Sequence, residues 1–372
     1  MKKRLPALRT GAFLVFGLFL LILLLTNAQV AMDGVRQGLS LCTETLFPSL
    51  FPFLVLSELL VSRQAGEILG KVFSRPVSAL FGLSGSGATA LLLGMLCGFP
   101  VGTTTAVSLA ERGEMSQKEL QRLILFANNP SSGFLIGAVG GALFGNGGAG
   151  VALFLITWSS AALVGIFLRL VLGKVTQPEE KPHNGAKNPP SVADFTKSVS
   201  KGFFSMLQVF AFVLFFSCIA GCLTPALDAF SLPAGVSVAL YGLLEMTSGI
   251  SHAVTMLAPE AAFRMAAFFA SFAGLSVCLQ LFSVAEGQNL RLLPYLLSKT
   301  AQGGIALLLA ELYLRIFKPA FTVAQSVTTM AGEIVTFAQN DLQRGWTLGV
   351  LLAVPLLIAL SAIRQKKRKN PN

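Results

Sequence analysis

Charged residues are scarce in this chain. Only 12% of its 372 residues are Asp, Glu, Lys or Arg, against about 25% in soluble domains. Histidine occurs twice, as His183 and His252, and 53% of the chain is hydrophobic. The low charge excludes an ordinary soluble domain, and two distant histidines do not suit a zinc site. Phosphate-binding loops and local Ser-His-Asp patterns are also missing, so the sequence predicts no enzyme, no metal site and no cofactor.

Long uncharged stretches take the place of the missing charges. Six of them are found, at 10–32, 76–110, 123–168, 202–227, 265–285 and 345–363. A spanning helix needs roughly 20 apolar residues, and backbone polar groups in lipid need partners within the same segment. The stretches therefore predict an all-α polytopic membrane protein. The two longest exceed one helix, so each is expected to fold back.

Positive charge is concentrated at the two ends of the chain, whose formal net charge is +11. Basic residues precede the first apolar stretch and follow the last: Lys2, Lys3, Arg4, Arg9, Arg364, Lys366, Lys367, Arg368 and Lys369. The positive-inside rule then predicts cytoplasmic termini and an even number of crossings. Charges that flank spans indicate a lipid bilayer as partner and not nucleic acid. No cleavage site follows the first stretch in "LLLTNAQVAMDG", which favours a retained helix over a cleaved signal peptide.

Changes in composition divide the chain into six segments. They are an N-terminal transmembrane helix (1–30), a first repeat (31–173), a polar linker (174–194), a second repeat (195–317), a loop or surface segment (318–345), and a C-terminal transmembrane helix with a basic tail (346–372). The proline-rich linker is typical of a flexible connection between two halves. Cys218 and Cys222 share a helix face, but no other ligand stands beside them, which favours buried thiols over a metal site.

Polar or Gly/Pro motifs interrupt four apolar helices, two in each half: "GFPVG" (98–102), "NNPSSG" (128–133), "MTSG" (246–249) and "SFAG" (271–274). A shift of 148 residues places Gly94 on Gly242, and a shift of 142 places Arg122 on Arg264. Paired breaks in two halves are typical of a secondary-transporter site, because a break frees N–H and C=O groups at mid-membrane depth. The alternative is that Gly and Pro are simply common in membrane helices.

Glu245 is the strongest single candidate, since a charge at a helix centre costs roughly 2.5–3.5 kcal/mol unless it faces a partner or cavity. A carboxylate near the interface, or one held protonated, is the alternative. The other predicted binding residues carry hydroxyl or amide groups at or beside the breaks: Thr103, Thr104, Asn128, Asn129, Ser131, Ser132, Thr247, Ser248 and Ser271. His252 either contacts substrate, relays a proton or packs as a helix histidine. Arg122 and Arg264 are expected to snorkel to an interface.

Four motifs in order, "LFPSLFPFLVLSELL", "GFPVGTTTAV", "FANNPSSGFLIG" and "GLLEMTSGI", resemble sporulation membrane proteins of the nucleoside-recognition (Gate) domain family. The resemblance covers about Leu46 to Phe317. That family is similar to concentrative nucleoside transporters, so the resemblance implies two inverted repeats, each with a re-entrant helical hairpin and a broken helix. It also implies movement of dipicolinic acid across the outer forespore membrane of a bacterial cell during sporulation.

A planar dianion such as dipicolinate suits half-helix N-termini and hydroxyl groups. Three roles are open for Glu245: binding the ring side as an acid, holding a coupling cation, or orienting the break. Cys97 stands at the equivalent position of the first repeat, so the site is expected to be asymmetric. A nucleoside-type carrier and a non-transporting membrane component of a sporulation assembly are the alternatives, and the coupling ion and the oligomeric state are left open.

Overall fold

The computed structural model describes residues 4–61, 63–175, 192–229 and 232–317, and within these ranges it contains α-helices, two π-helical segments and no strand. The α-helices are α1 (Arg4–Thr26), α2 (Ala28–Ser40), α3 (Phe47–Val61), α4 (Arg63–Phe81), α5 (Gly85–Cys97), α6 (Val101–Glu111), α7 (Gln117–Ala127), α8 (Gly147–Leu172), α9 (Val192–Ala229), α10 (Ala234–Leu244), α11 (Met246–Met256), α12 (Pro259–Phe272), α13 (Gly274–Val284) and α14 (Leu292–Phe317). The π-helical segments are Leu41–Leu46 and Gly133–Leu143.

Four helices in the described part of the chain are long and apolar enough to cross a membrane: Gly147–Leu172, Phe195–Pro225, Pro259–Val284 and Leu292–Phe317. Two further pairs qualify together but bend sharply, by 98° between Thr26 and Ala28 and by 93° between Phe81 and Gly85. The protein is therefore an all-α polytopic membrane protein with four to six apolar spans, which confirms the predicted fold class. Residues 176–191 of the predicted linker 174–194, and the whole of the predicted segments 318–345 and 346–372, lie outside the described residues.

Both interruptions predicted in the first half are present. Helix α5 begins after Ser84, whose hydroxyl accepts a hydrogen bond from the Gly87 amide at 3.0 Å, and residues 98–100 separate it from α6. Helix α7 begins after Ser116, whose hydroxyl caps the Glu119 amide at 3.2 Å, and it ends at Ala127. Residues 128–132 then lead into the second π-helical segment.

The interruptions in the second half are shorter than the motifs predicted. Glu245 alone separates α10 from α11, so Thr247 and Ser248 lie in the first turn of α11 and not in the break. Ala273, with φ of 75°, alone separates α12 from α13, and Ser271 lies inside α12. The reason at Glu245 is its side chain, which caps α11 and lets the helix start at once.

Two prolines, Pro48 and Pro52, are predicted from the sequence to interrupt the chain before a short apolar helix that ends near Val61, and this prediction is wrong. Pro48 and Pro52 do not interrupt the chain, because α3 runs unbroken from Phe47 to Val61 with Pro52 inside it. Pro48 follows the π-helical segment Leu41–Leu46 without a gap, and such local π-helical adjustment lets membrane helices tolerate a proline. The charged stretch that leads to Arg75 is also helical and forms most of α4.

Close glycine contacts hold each hairpin together. A Cβ added at Gly102 of α6 would collide with the Gly94 Cα of α5, and a Cβ added at Gly249 of α11 would overlap the Gly242 Cα of α10. The backbones of both pairs therefore approach as closely as small residues allow in membrane helices. The two hairpins share this packing although their sequences differ.

Gly249→Ala is expected to destabilise the protein by about 1–3 kcal/mol, because the new methyl group overlaps backbone that cannot turn aside. The matched control is Gly304→Ala in α14, where nothing lies within 4 Å of an added Cβ and the change is neutral or stabilising. Thermal unfolding of the purified protein in detergent measures both. Equal midpoints for the two variants would contradict the close hairpin packing.

Candidate functional site

The tip of each hairpin touches the break in its own half. In the first half the Phe99 amide donates to the Asn129 carbonyl at 3.0 Å, and Gly98 lies against Ser131 so closely that a Cβ there would collide with it. In the second half a Cβ at Gly274 would lie 3.1 Å from the Gly242 carbonyl oxygen and 3.3 Å from the Met246 amide nitrogen. Within each half the hairpin tip thus lies against the helix break, and residues of the two hairpin tips meet at a shared cavity.

A cavity of about 30 Å³, enough for about two water molecules, lies where they meet. Its wall contains residues from both halves: Phe99, Pro130, Ser131, Glu245, Thr247 and Gln280. Aliphatic side chains of α3 and α9, among them Leu50 and Val213, complete it. Small-molecule pockets usually measure at least about 300 Å³, so in this conformation the cavity has room only for water or an ion.

Glu245 is buried at the tip of the second hairpin, with 3% of its surface exposed. Its Oε1 accepts a hydrogen bond from the Thr247 amide at 2.9 Å, and its Oε2 accepts one from the Ser248 amide at 2.6 Å. The carboxylate therefore caps the N-terminus of α11, where the helix dipole also favours a negative charge. Of the three roles left open for Glu245, this geometry fits the third, in which the side chain orients the break.

Gln280 is a cavity residue that the sequence reasoning missed. Its side chain is 3% exposed, and its Oε1 has no hydrogen-bond partner in the part of the chain that the structure describes. Its Nε2 donates to the Ser276 hydroxyl at 3.4 Å. An unpaired buried carbonyl oxygen costs about 1–3 kcal/mol, so a donor that reached it from the cavity would be stabilising.

Lys299 is the second residue that the sequence reasoning missed, and it is fully buried on α14. Its Nζ donates to the Asn128 carbonyl at 2.9 Å, to Asn129 Oδ1 at 3.3 Å and to Gln302 Oε1 at 2.8 Å. All three acceptors are neutral, and no ion pair of Lys299 is found among residues 4–61, 63–175, 192–229 and 232–317. Three acceptors match the three hydrogens of an ammonium group, and this form would add a positive charge to the first break.

A network of hydrogen bonds extends from this ammonium group. Gln302 Nε2 donates to Asn129 Oδ1 at 2.7 Å and to the Thr157 carbonyl at 3.4 Å. Asn128 Nδ2 donates to the Tyr295 hydroxyl at 3.0 Å, and Asn128 Oδ1 accepts from the Thr103 hydroxyl at 3.2 Å. The break at Asn128 and Asn129 is thus tied to α6, α8 and α14.

Most of the remaining predicted site residues lie around the cavity or around Lys299. Ser271 is fully buried, 3.5 Å from the Ser160 hydroxyl, and Ser248 lies 3.2 Å from the Ser217 hydroxyl. Thr104 is exposed, and its hydroxyl bonds the Pro100 carbonyl within its own helix. It therefore faces away from the cavity.

Ser132 contacts the first hairpin, and His252 packs within the second hairpin. The Ser132 hydroxyl donates to the Leu96 carbonyl at 3.4 Å. The His252 ring stacks on Tyr241 with 4.0 Å between centroids, and its Nδ1 lies 2.8 Å from the Ser248 carbonyl oxygen. This geometry corresponds to the packed helix histidine among the alternatives.

Arg122 does not snorkel to an interface, because it is buried and caps α8. Its Nη1 donates to the Gly173 carbonyl at 2.7 Å and its Nη2 to the Leu172 carbonyl at 3.3 Å. Arg264 is half-buried and pairs with Glu311 at 2.7 Å. Both arginines therefore fix helix ends or helix pairs and lie apart from the cavity wall.

The chain matches no protein-family profile, and no solved structure matches it. It is similar to the sporulation integral membrane protein YlbJ of Bacillus subtilis (strain 168). The two are 26% identical over 341 residues, which cover 82% of each chain. Together with the apolar helices, the similarity to YlbJ supports an integral membrane protein of sporulation.

Asn129→Ala is expected to lower the free energy of unfolding by about 3–5 kcal/mol, because Lys299 and Gln302 lose an acceptor in a dry interior. Combined with Lys299→Met, it should cost about 1–3 kcal/mol less than the sum of the single changes. Thermal unfolding in detergent gives the cycle, with the half-buried Ser132→Ala as a control that changes stability by about 0.5 kcal/mol or less. Additive effects of Asn129→Ala and Lys299→Met would contradict the network.

Proposed function

We propose that this protein is a membrane transporter of a small organic anion, with dipicolinate as the substrate, and that it acts across the outer forespore membrane during sporulation. The chemistry of the breaks supports an anion. The similarity to YlbJ supports the setting in sporulation. The choice of dipicolinate rests on the resemblance carried by the four sequence motifs.

The buried ammonium of Lys299 is the observation that carries the proposal. Its three acceptors are neutral oxygens, so its charge is not cancelled where it lies. Asn129, which holds it, is followed directly by Pro130 and Ser131 of the cavity wall. In a low-dielectric interior a positive charge acts over several ångströms, and it favours an anion in the adjoining cavity.

Glu245 is compatible with an anionic substrate because its charge is already compensated. Two main-chain amides and the N-terminus of α11 stabilise the carboxylate. Its function in the transporter is to hold the tip of the second hairpin in shape. The Ser131 and Thr247 side chains beside it offer hydroxyl groups to the substrate carboxylates.

The cavity in this conformation is too small for the proposed substrate. A dicarboxylate needs more room than about 30 Å³, so the hairpins must part to admit it. The glycine contacts in each hairpin keep α5 with α6 and α10 with α11, so each pair moves as a unit against the other helices. Access alternates when one hairpin opens while the other stays closed, as in carriers built from two repeats.

Uptake of labelled dipicolinate into proteoliposomes containing the full chain tests the proposal. The wild-type protein is expected to accumulate dipicolinate above empty liposomes, and labelled nucleosides are expected to stay at background. Lys299→Met should reduce initial uptake at least tenfold, since the positive charge at the break is lost. Lys197→Met, at an exposed position on α9, is the matched control and should transport normally.

Two outcomes would contradict the proposal. Uptake of nucleosides without dipicolinate would make the protein a nucleoside-type carrier. Correctly inserted protein with no uptake of either compound, in both orientations, would favour a non-transporting membrane component of a sporulation assembly.

A further inference from the structure

The acceptors around Lys299 form a cage of three oxygens that matches the three hydrogens of one ammonium group. An ammonium group has three hydrogens to donate, and the three oxygens lie 2.8, 2.9 and 3.3 Å from Nζ. One of them is the main-chain carbonyl of Asn128 at the end of α7, where the helix dipole is negative. The other two are side-chain amide oxygens. Carbonyl oxygens of this kind, at the C-terminal end of a half-helix, are the ligands that hold Na⁺ in secondary transporters.

Contacts other than Lys299 aim these oxygens into the cage. Asn129 Nδ2 donates to the Phe126 carbonyl at 2.7 Å, which turns Oδ1 toward Lys299. Gln302 Nε2 donates to Asn129 Oδ1 and to the Thr157 carbonyl, which turns Oε1 toward Lys299. The cage is therefore arranged by the fold and would persist if the ammonium group were removed.

The other half of the chain contains a counterpart of this position. The shift of 142 residues that places Arg122 on Arg264 also places Asn129 on Ser271, Thr157 on Lys299, and Ser160 on Gln302. The contacts are reciprocal, because Gln302 bonds Asn129 and Ser160 lies 3.5 Å from Ser271. A two-fold relation between the halves produces such reciprocal pairs.

The two counterpart positions differ in charge. At the second one, Thr157 is fully buried and its Oγ1 has no hydrogen-bond partner within the described ranges. The first position has instead an ammonium group with a full set of acceptors. The same arrangement of helices thus has a charged side chain with a full set of acceptors in one half and a buried unpaired hydroxyl in the other.

We propose that the Lys299 ammonium occupies a monovalent-cation site formed by Asn128, Asn129 and Gln302, so that the chain supplies its own cation at the first break. The consequence for transport rests on the proposed function: a permanently filled site would make transport independent of a sodium gradient. The binding chemistry itself does not require transport. Removing the side chain opens a site that Na⁺ or K⁺ fills.

Cation-dependent stability of the purified full chain tests this directly. Lys299→Ala empties the cage, and Lys299→Thr gives it the residue that the fold already accommodates at the counterpart Thr157. Thermal midpoints are compared in NaCl, KCl and choline chloride at equal ionic strength. Both variants are expected to gain on the order of 5 °C in NaCl or KCl over choline chloride.

Wild type, Lys299→Met and Lys197→Ala serve as controls and should show no such difference, since the cage is filled by the ammonium, by the Met side chain or by the untouched Lys299. A variant that is monodisperse only in NaCl or KCl would also support the site. Folded Lys299→Ala and Lys299→Thr without a cation-specific shift would overturn the proposal. A sodium-specific shift of the same size in the wild type would overturn it too. None of these readouts depends on uptake, so they are independent of the dipicolinate assay.

Discussion

Helix ends inside the membrane region determine where this protein places its buried charges. A break in lipid leaves N–H and C=O groups without water, and each must find a partner within the chain. Glu245 meets the N-terminus of α11, and Glu119 accepts from the Ser84 amide at 2.6 Å at the start of α5. Arg122 and Lys299 meet the C-terminal ends of α8 and α7. Each charge thus lies at the helix end of opposite polarity, as the helix dipole favours.

This arrangement explains how a weakly charged chain forms a polar centre. Among the described residues these cationic and anionic groups bond helix ends and amide oxygens and not each other. Lys299 bonds one main-chain and two side-chain carbonyl oxygens. The cavity between them keeps unpaired polar atoms such as Gln280 Oε1. A substrate that enters can therefore gain hydrogen bonds and charge compensation without first breaking an internal ion pair.

The sequence predicted the all-α membrane fold and the breaks at residues 98 and 128, because glycine, proline and asparagine leave local signals. It placed the second-half breaks too broadly, since a single capping carboxylate at Glu245 ends one helix and starts the next. The prolines of α3 misled the prediction because the π-helical segment ahead of Pro48 accommodates it within a continuous helical stretch. Lys299 was missed because it lies in an intact helix, and only its charge within a 26-residue apolar span pointed to it.

The partners of Lys299 and of Gln280 depend on tertiary contacts between residues far apart in sequence, which no local pattern reveals. The central claim is that the first break, with its buried ammonium, attracts an anion. Calorimetric titration of dipicolinate into purified wild type and Lys299→Met in detergent measures this most directly. We expect saturable binding of dipicolinate to the wild type and at least tenfold weaker binding to the Lys299→Met variant. Equal affinity for both proteins, or no binding to the folded wild type, would contradict an anion site at the first break.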